Sequence, residues 1–288
     1  MKKITGCFLI IFTALTLPFF ALAEEQPTHL SSHLTQKAWD ALADGHFEEV
    51  HRFCDDCIKL FADQAKEKQS MLRDFPDPQN MEFYQVLNDV GTCLFLKGRT
   101  FYMRGENKKA REIFQDIIDH YSFAQCWDEQ GWYWKVDEAA RDQIVLMECG
   151  LDFGDYTSQT LTAKAWSALN EGRYDECLVY ARKCVHLYMK FATDMQSKLE
   201  NYPEEKRAFD YWALNDVGTC YFIMGEAYMA KKDFKKAKEA YENLASRFSF
   251  AQCWDPAGQF FWKPARQASI TLETLDSVID NAKLFKVK

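Results

Sequence analysis

The heptapeptide L-N-D-V-G-T-C at Leu87–Cys93 returns unchanged at Leu214–Cys220. An identity of that length inside one chain marks a duplication, and an internal repeat constrains the fold before any local propensity does. Working outward, the match runs without a gap from Leu34 and Leu161 to Gly131 and Gly258. Over that span about four residues in ten are identical. Matched blocks include Lys37-Ala38-Trp39 with Lys164-Ala165-Trp166. The last is F-A-Q-C-W-D, at Phe123–Asp128 and Phe250–Asp255. One extra residue then enters the second copy, so that G-W-Y-W-K (131–135) becomes G-Q-F-F-W-K (258–263). The chain reads as a tandem duplication of a unit of roughly 120 residues.

Each unit reads as helices. From Leu94 to Ile118, apolar and small residues recur at three- and four-residue spacing: Leu94, Gly98 and Phe101, then Ala110, Phe114 and Ile117. The turn Arg104-Gly105-Glu106-Asn107 divides the two runs, which predicts a helical hairpin. The second copy has Tyr221, Gly225 and Tyr228, then Ala237, Tyr241 and Leu244, around Lys231-Lys232-Asp233. Gly98, Phe101, Gly105, Ala110 and Phe114 fall at the spacing of the tetratricopeptide repeat (TPR), as do Gly225, Tyr228, Ala237 and Tyr241. The chain thus resembles the TPR superfamily. A second, weaker repeat of the same kind opens each unit, on Ala38, Ala41, Gly45, Phe47, Val50 and Cys57 and on Ala165, Ala168, Gly172, Tyr174, Cys177 and Cys184. The stretch 108–121, K-K-A-R-E-I-F-Q-D-I-I-D-H-Y, is similar to TPR proteins of bacterial envelopes, such as outer-membrane assembly lipoproteins and cell-division coordinators. The expected fold is all-α, a TPR-like solenoid of helical hairpins in two tandem homologous units.

The expected divisions are a signal peptide at 1–23, a linker at 24–33, unit 1 at 34–150, and unit 2 at 151–288. Extended helices are expected over Glu48–Arg73 and Asp175–Glu200, stopped by Pro76 and Pro203. Further helices are expected over Asp137–Glu148 and, closing the stack, Ala265–Ala282. Lys2 and Lys3, the apolar run Ile4–Phe20 and the small-residue site Ala21-Leu22-Ala23 have the form of a cleavable export signal. Cleavage after Ala23 predicts a periplasmic or secreted protein. Ile4-Thr5-Gly6-Cys7 is no lipidation box, because its apolar core follows the cysteine. No later stretch has the roughly 18 apolar residues a membrane helix needs.

The charge balance is acidic, with 35 Lys and Arg against 43 Asp and Glu, net −8. Loss of Lys2 and Lys3 with the signal would remove two positive charges and leave about −10. Nucleic acid needs basic patches that displace counterions, so it is not an expected partner.

Four features invite a chemical reading. His51, Cys54 and Cys57 stand three apart on one helix, but zinc takes four ligands and no fourth is local. No metal or cofactor is therefore expected. Nine cysteines follow Ala23, and three recur between copies: Cys57/Cys184, Cys93/Cys220 and Cys126/Cys253. Mostly buried free thiols are the leading reading, since Cys57, Cys93, Cys184 and Cys220 fall at inward helix positions and an odd count cannot be fully paired. One or two disulfides, which an oxidising compartment permits, remain open. Asn88-Asp89 and Asn215-Asp216 are polar pairs on a helix start that should be partly buried, and so need partners. They are read with Cys126, Asp128, Cys253 and Asp255 as a structural motif. Phe123, Trp127 and their copies are expected to turn inward, and Asp128 and Asp255 to cap the next turn or bind the Asn-Asp pair. The same aromatic blocks, with Trp127 and Trp254, are alternatively a binding platform for a glycan.

No catalytic residues are expected, since no phosphate loop, H-E-x-x-H or G-x-S-x-G stretch is present. What the TPR resemblance implies is a non-enzymatic scaffold in the cell envelope. A protein or peptide partner would lie on a concave face lined by the first helix of each hairpin. Those positions are Trp39, Phe95, Arg99 and Tyr102, with Trp166, Phe222, Glu226 and Met229. A glycan-binding or cell-wall-processing protein and a thiol-dependent envelope chaperone remain the alternatives.

Overall fold

A computed structural model of the chain describes residues 28–128, 132–255 and 258–285. The export-signal reading of 1–23 lies outside them. Ten helices occur among the described residues, in two runs of the same order. The first run is α1 (Thr28–Ala43), α2 (Phe47–Met71), α3 (Gln85–Met103), α4 (Asn107–His120) and α5 (Val136–Cys149). The second is α6 (Ser158–Asn170), α7 (Tyr174–Gln196), α8 (Trp212–Ala230), α9 (Phe234–Arg247) and α10 (Pro264–Phe285). A short 3-10 helix precedes α3 (Pro78–Tyr84) and another precedes α8 (Glu205–Tyr211). The array is a TPR-like solenoid of helical hairpins, as expected. One boundary needs correction. The stretch 24–33, read as linker, is helical from Thr28, because Ser31 and Ser32 have partners to meet on α3.

Turn chemistry fixes the hairpins. At all four hairpin turns one residue takes the left-handed conformation: Gly45 (φ 74°), Gly105 (76°), Gly172 (73°) and Lys232 (60°). In each, the next N–H reaches back five residues to a helix carbonyl. The bonds are His46 to Ala41 (2.8 Å), Glu106 to Phe101 (2.8 Å), Arg173 to Ala168 (2.9 Å) and Asp233 to Tyr228 (2.9 Å). This is the Schellman ending, which satisfies carbonyls the helix leaves open. Lys232 occupies the position of Gly105 and keeps its geometry without a glycine's freedom.

Small residues set how closely the helices approach. A methyl added at Gly98 would lie 2.6 Å from the Phe114 ring, and one at Gly225 2.3 Å from Tyr241. Gly91 and Gly218 meet the Ala124 and Ala251 methyls in the same way, at 2.5 and 2.4 Å. The aromatic ring fills the room that the glycine leaves, which is why the two recur as a pair.

The buried apolar side chains form two clusters, one per unit. In unit 1 Phe61, Leu87, Leu96, Phe114 and Ile117 are fully buried, and in unit 2 Leu161, Leu214, Ile223, Tyr241, Leu244 and Phe248 are. Helix α10 packs on α9 and α8 and buries Ala265, Ala268 and Leu275. The seam between the units, where α5 meets α7, is ionic. Arg182 grips the Asp142 carboxylate through Nε (2.8 Å) and Nη2, and donates to the Tyr228 hydroxyl at 2.8 Å. Lys236 meets Glu138 at 3.1 Å, Lys135 meets Glu239 at 2.5 Å, and Lys235 meets Asp74 at 2.5 Å. Burial raises the Glu138 carboxyl, but Lys236, Arg182 and Lys135 outweigh it and pull it down to about 2.

Each aromatic block also contains an antiparallel pair of strands that helical periodicity does not foresee. β1 (Gln125–Asp128) pairs with β2 (Trp132–Lys135), and β3 (Cys253–Asp255) with β4 (Phe260–Trp262). No helix among the described residues is long and apolar enough to cross a membrane.

A left-handed conformation costs a residue with a Cβ about 1 kcal/mol, part of which glycine's extra freedom in the unfolded chain takes back. Lys232→Gly is therefore expected to stabilise the protein by ~0.5 kcal/mol or more in urea unfolding. Gly105→Lys is expected to destabilise it.

Candidate functional site

The repeated Asn-Asp pair sits in the first turn of α3 and of α8. Position 88 or 215 falls where the helix start meets the loop after the second hairpin. There the Gln125 backbone N–H donates to Asn88 Oδ1 at 2.8 Å, and the Gln252 N–H to Asn215 Oδ1 at 2.8 Å. A second side-chain amide holds the same loop two residues earlier. The Phe123 N–H donates to Gln69 Oε1 and the Phe250 N–H to Gln196 Oε1, each at 3.1 Å. Asp89 and Asp216 face the other way, toward the first helix of their unit. Asp89 accepts from the Ser31 hydroxyl at 2.6 Å, Ser32 at 2.9 Å and Gln85 at 2.9 Å. Asp216 accepts from Ser158 at 2.5 Å. In unit 2 the clamp is completed by Asn215 Nδ2, which donates to the Ala208 carbonyl at 2.7 Å. Burial raises both carboxyls, Asp216 to about 6. The serines oppose that shift by hydrogen bonding.

Two expectations about the F-A-Q-C-W-D blocks are corrected. Trp127 and Trp254 are turned outward, 55% and 41% exposed, because the strand pairing puts them on the opposite side from Cys126 and Cys253. Each indole leans instead on the ring across the hairpin, Tyr133 at 4.9 Å and Phe261 at 5.0 Å. Asp128 and Asp255 do not hold the Asn-Asp pairs, whose partner in the motif is the glutamine N–H. Asp128 lies 3.8 Å from His186 of the other unit, and Asp255 takes the other expected role, capping the next turn by accepting from the Gly258 N–H at 3.1 Å. Phe123 and Phe250 do pack against the cores, each edge-on to an aromatic of the preceding loop, Phe75 and Tyr202 at 5.5 Å. Lys135 and Lys263 cover those same loop rings at 4.4 and 4.3 Å.

The eight positions expected to line a concave face divide into three groups. Phe95 and Phe222 are core residues, 6% and 8% exposed, packed on Trp134 (5.3 Å) and Trp262 (4.9 Å). They cannot touch a partner, because the strand pairs bring a tryptophan over each. Trp39, Tyr102, Trp166 and Met229 are half-buried and lean on their own unit's core. Glu226 accepts from the Tyr241 hydroxyl at 2.6 Å. At the equivalent place in unit 1 stands Arg99 beside Phe114, whose ring offers no hydroxyl.

Arg99 belongs to a cationic group at the seam. Burial lowers the His186 imidazole, Asp128 raises it, and the charges of Lys183 of α7 and of Arg99 lower it further, so at neutral pH the positive charges of the group are Arg99 and Lys183. Burial likewise lowers Lys183 and Arg99. Removing charged groups from water while they keep their charge is costly unless an anion compensates. Lys183 and His186 escape sequence reading because their counterparts in unit 1, Asp56 and Lys59, carry no matching chemistry. Only the folded seam brings them to Arg99.

A second feature unforeseen in the sequence is an aromatic surface on unit 2. Phe191 and Trp212 are 53% and 43% exposed and lie 6.1 Å apart, with Tyr188 at 5.6 Å from Trp212. Phe209, 63% exposed, sits 6.1 Å from Trp254. Unit 1 has Gln64, Gln85 and Glu82 at the positions of Phe191, Trp212 and Phe209. That divergence between copies, polar in one and aromatic in the other, is the signal that could have found it.

His51 serves α3: its Nε2 lies 2.5 Å from the Thr100 hydroxyl, and its ring meets Phe101 edge-on at 4.5 Å. Among the described residues no group of three or more His, Cys, Asp or Glu side chains could hold a metal ion.

Asp216 gives the clamp a pH signature. Its folded value, about 6, lies above the ordinary 3.8, so the folded protein binds the proton more tightly than the unfolded chain. The resulting stabilisation is complete below about 3.8 and lost as pH rises through about 6. Asp216→Asn still accepts from Ser158 but carries no charge. It is expected to raise stability at pH 8 by roughly 1–3 kcal/mol and to flatten the pH dependence between 4 and 6 in thermal melts.

The family comparison coincides with this geometry. A family model described as "Tetratricopeptide repeat" matches residues 92–123 and 219–250. Those spans cover most of α3 with α4, and most of α8 with α9, and each ends within F-A-Q-C-W-D. No curated protein and no solved structure matches the chain. The matches fall once in each copy, so each repeated unit contains one stretch similar to a tetratricopeptide repeat.

Proposed function

We propose that this protein is an exported, non-enzymatic scaffold that holds a protein or peptide partner in the cell envelope. Tetratricopeptide repeats serve protein–protein contact, and a solenoid offers an extended surface for it. The observation that carries the reading is the pair of half-buried cations Arg99 and Lys183, one from each unit, at the seam. Partly buried cations in an acidic chain suit a carboxylate brought by a partner. Trp39, Tyr102, Trp166 and Met229, half-buried on the first helices of the hairpins, supply flanking apolar contact. The envelope address rests on the export signal read at 1–23.

A second reading draws on the displayed indoles of Trp127 and Trp254, which suit stacking on the face of a sugar ring. A thiol-dependent chaperone is disfavoured. Burial pushes Cys126 up to about 11 and Cys177 up to about 12, whereas a reactive cysteine needs a lowered value.

Pull-down from envelope extracts with the chain from Glu24 onward tests the scaffold. Specific recovery of a protein partner is expected, with Arg99→Glu weakening that binding by about tenfold or more (~1.4 kcal/mol). Recovery of nothing, with indole fluorescence quenched by peptidoglycan fragments, would overturn this reading in favour of the glycan.

A further inference from the structure

The recurring cysteines come together in space. In unit 2 the Thr162 hydroxyl lies 3.6 Å from Cys184 Sγ and 3.3 Å from Cys220 Sγ, so the two sulfurs share one small polar group. Cys184 is on α7 and Cys220 on α8, and both are fully buried. In unit 1 Thr35 Oγ1 lies 3.4 Å from Cys93 Sγ, with Cys57 of α2 against the same thiol and hydroxyl. The sequence separation is identical in the two copies. Cysteines buried only as small hydrophobes have no need to keep one another's company. Unit 1 adds Cys54, whose counterpart is Ala181 and whose thiol also lies against Cys93, so that Cys54 and Cys57 both face it.

We propose that Cys184 with Cys220, and Cys57 with Cys93, are disulfide-forming pairs that staple α7 to α8 and α2 to α3 when the chain folds in an oxidising compartment. The oxidant is a disulfide, carried by a protein or a small thiol. One cysteine thiolate attacks it, forming a mixed disulfide and releasing one thiol. The second cysteine displaces the other thiol and closes the protein bond. Two electrons pass to the oxidant disulfide, which leaves as two thiols carrying the two protons. Because both pairs are sealed from solvent in the finished fold, the exchange takes place on the folding chain, before α8 closes on α7 and α3 on α2. The bond would lock the helix pair that carries Asn215 and Gln196, and likewise Asn88 and Gln69, and so hold the loop clamps in register. All nine described cysteines are free thiols in this structure, and of these Cys54, Cys126, Cys149, Cys177 and Cys253 are expected to stay so.

The test refolds the chain from Glu24 onward in a buffer of oxidised and reduced glutathione, then denatures and alkylates it without reductant and maps peptides by mass spectrometry. The expected result is a link between the Cys184 and Cys220 peptides and another between those of Cys57 and Cys93, with the other five thiols alkylated. A melting temperature that falls when reductant is added should accompany it. Alkylation of all nine thiols in a product that is folded by circular dichroism overturns the proposal. A link from Cys93 to Cys54 overturns the assignment in unit 1. The oxidant is supplied in the buffer, so failure here leaves the export reading untouched, and failure of export would not remove the pairs.

Discussion

Two side-chain amides hold the structure to its repeat. A backbone N–H in a buried loop must find an acceptor, and an orphaned one costs about 1–3 kcal/mol. The Gln125 and Gln252 N–H groups find theirs in a side chain rather than in a helix or strand carbonyl. Asn88 and Asn215 supply the acceptor from the first turn of the second hairpin's leading helix. Much follows from that one bond. Ala124 and Ala251 are brought against Gly91 and Gly218, which have no room for a methyl. The strand pair that continues from the loop then lays Trp134 or Trp262 over Phe95 or Phe222 and completes the core. The neighbouring aspartate ties the same turn to a serine of the unit's first helix. One turn of helix thus anchors the opening and the closing segment of each unit.

The units themselves join by different physics. Each has its own apolar cluster, so the seam does not need a shared hydrophobic core. It is built from Arg182–Asp142, Lys236–Glu138 and Lys135–Glu239. A buried ion pair gains little over an apolar contact, but breaking one by removing a partner costs about 3–5 kcal/mol. Such a seam selects one arrangement of the two units rather than adding much stability. That arrangement brings Arg99 of one unit within electrostatic reach of Lys183 and His186 of the other. The group is therefore a property of the tandem, and neither copy alone contains it.

The fold was legible because a duplication prints its packing rules twice. Gly98 with Phe114 and Gly225 with Tyr241 could be read as helix contacts before any coordinates. So could the turns at Gly45, Gly105 and Gly172. Lys232 was legible only through its alignment with Gly105. The strand pairs were not, since stretches as short as C-W-D and F-F-W show no period that separates strand from loop. Missing them inverted the reading of Trp127 and Trp254 and left Phe95 and Phe222 on a surface they do not reach. The cationic group was hidden for another reason. Periodicity reports what one copy does within itself, whereas Arg99, Lys183, His186 and Asp128 meet only between copies, at positions where the two sequences differ.

The central claim is that the amide clamp, not the strand pairing, fixes the F-A-Q-C-W-D loop. Hydrogen exchange at the Gln125 and Gln252 backbone amides tests it directly. The clamp predicts that both exchange as slowly as the interior amides of α3 and α8, despite lying at the edge of a short strand pair next to an exposed tryptophan. Exchange at the rate of the neighbouring Trp127 and Trp254 amides would contradict it.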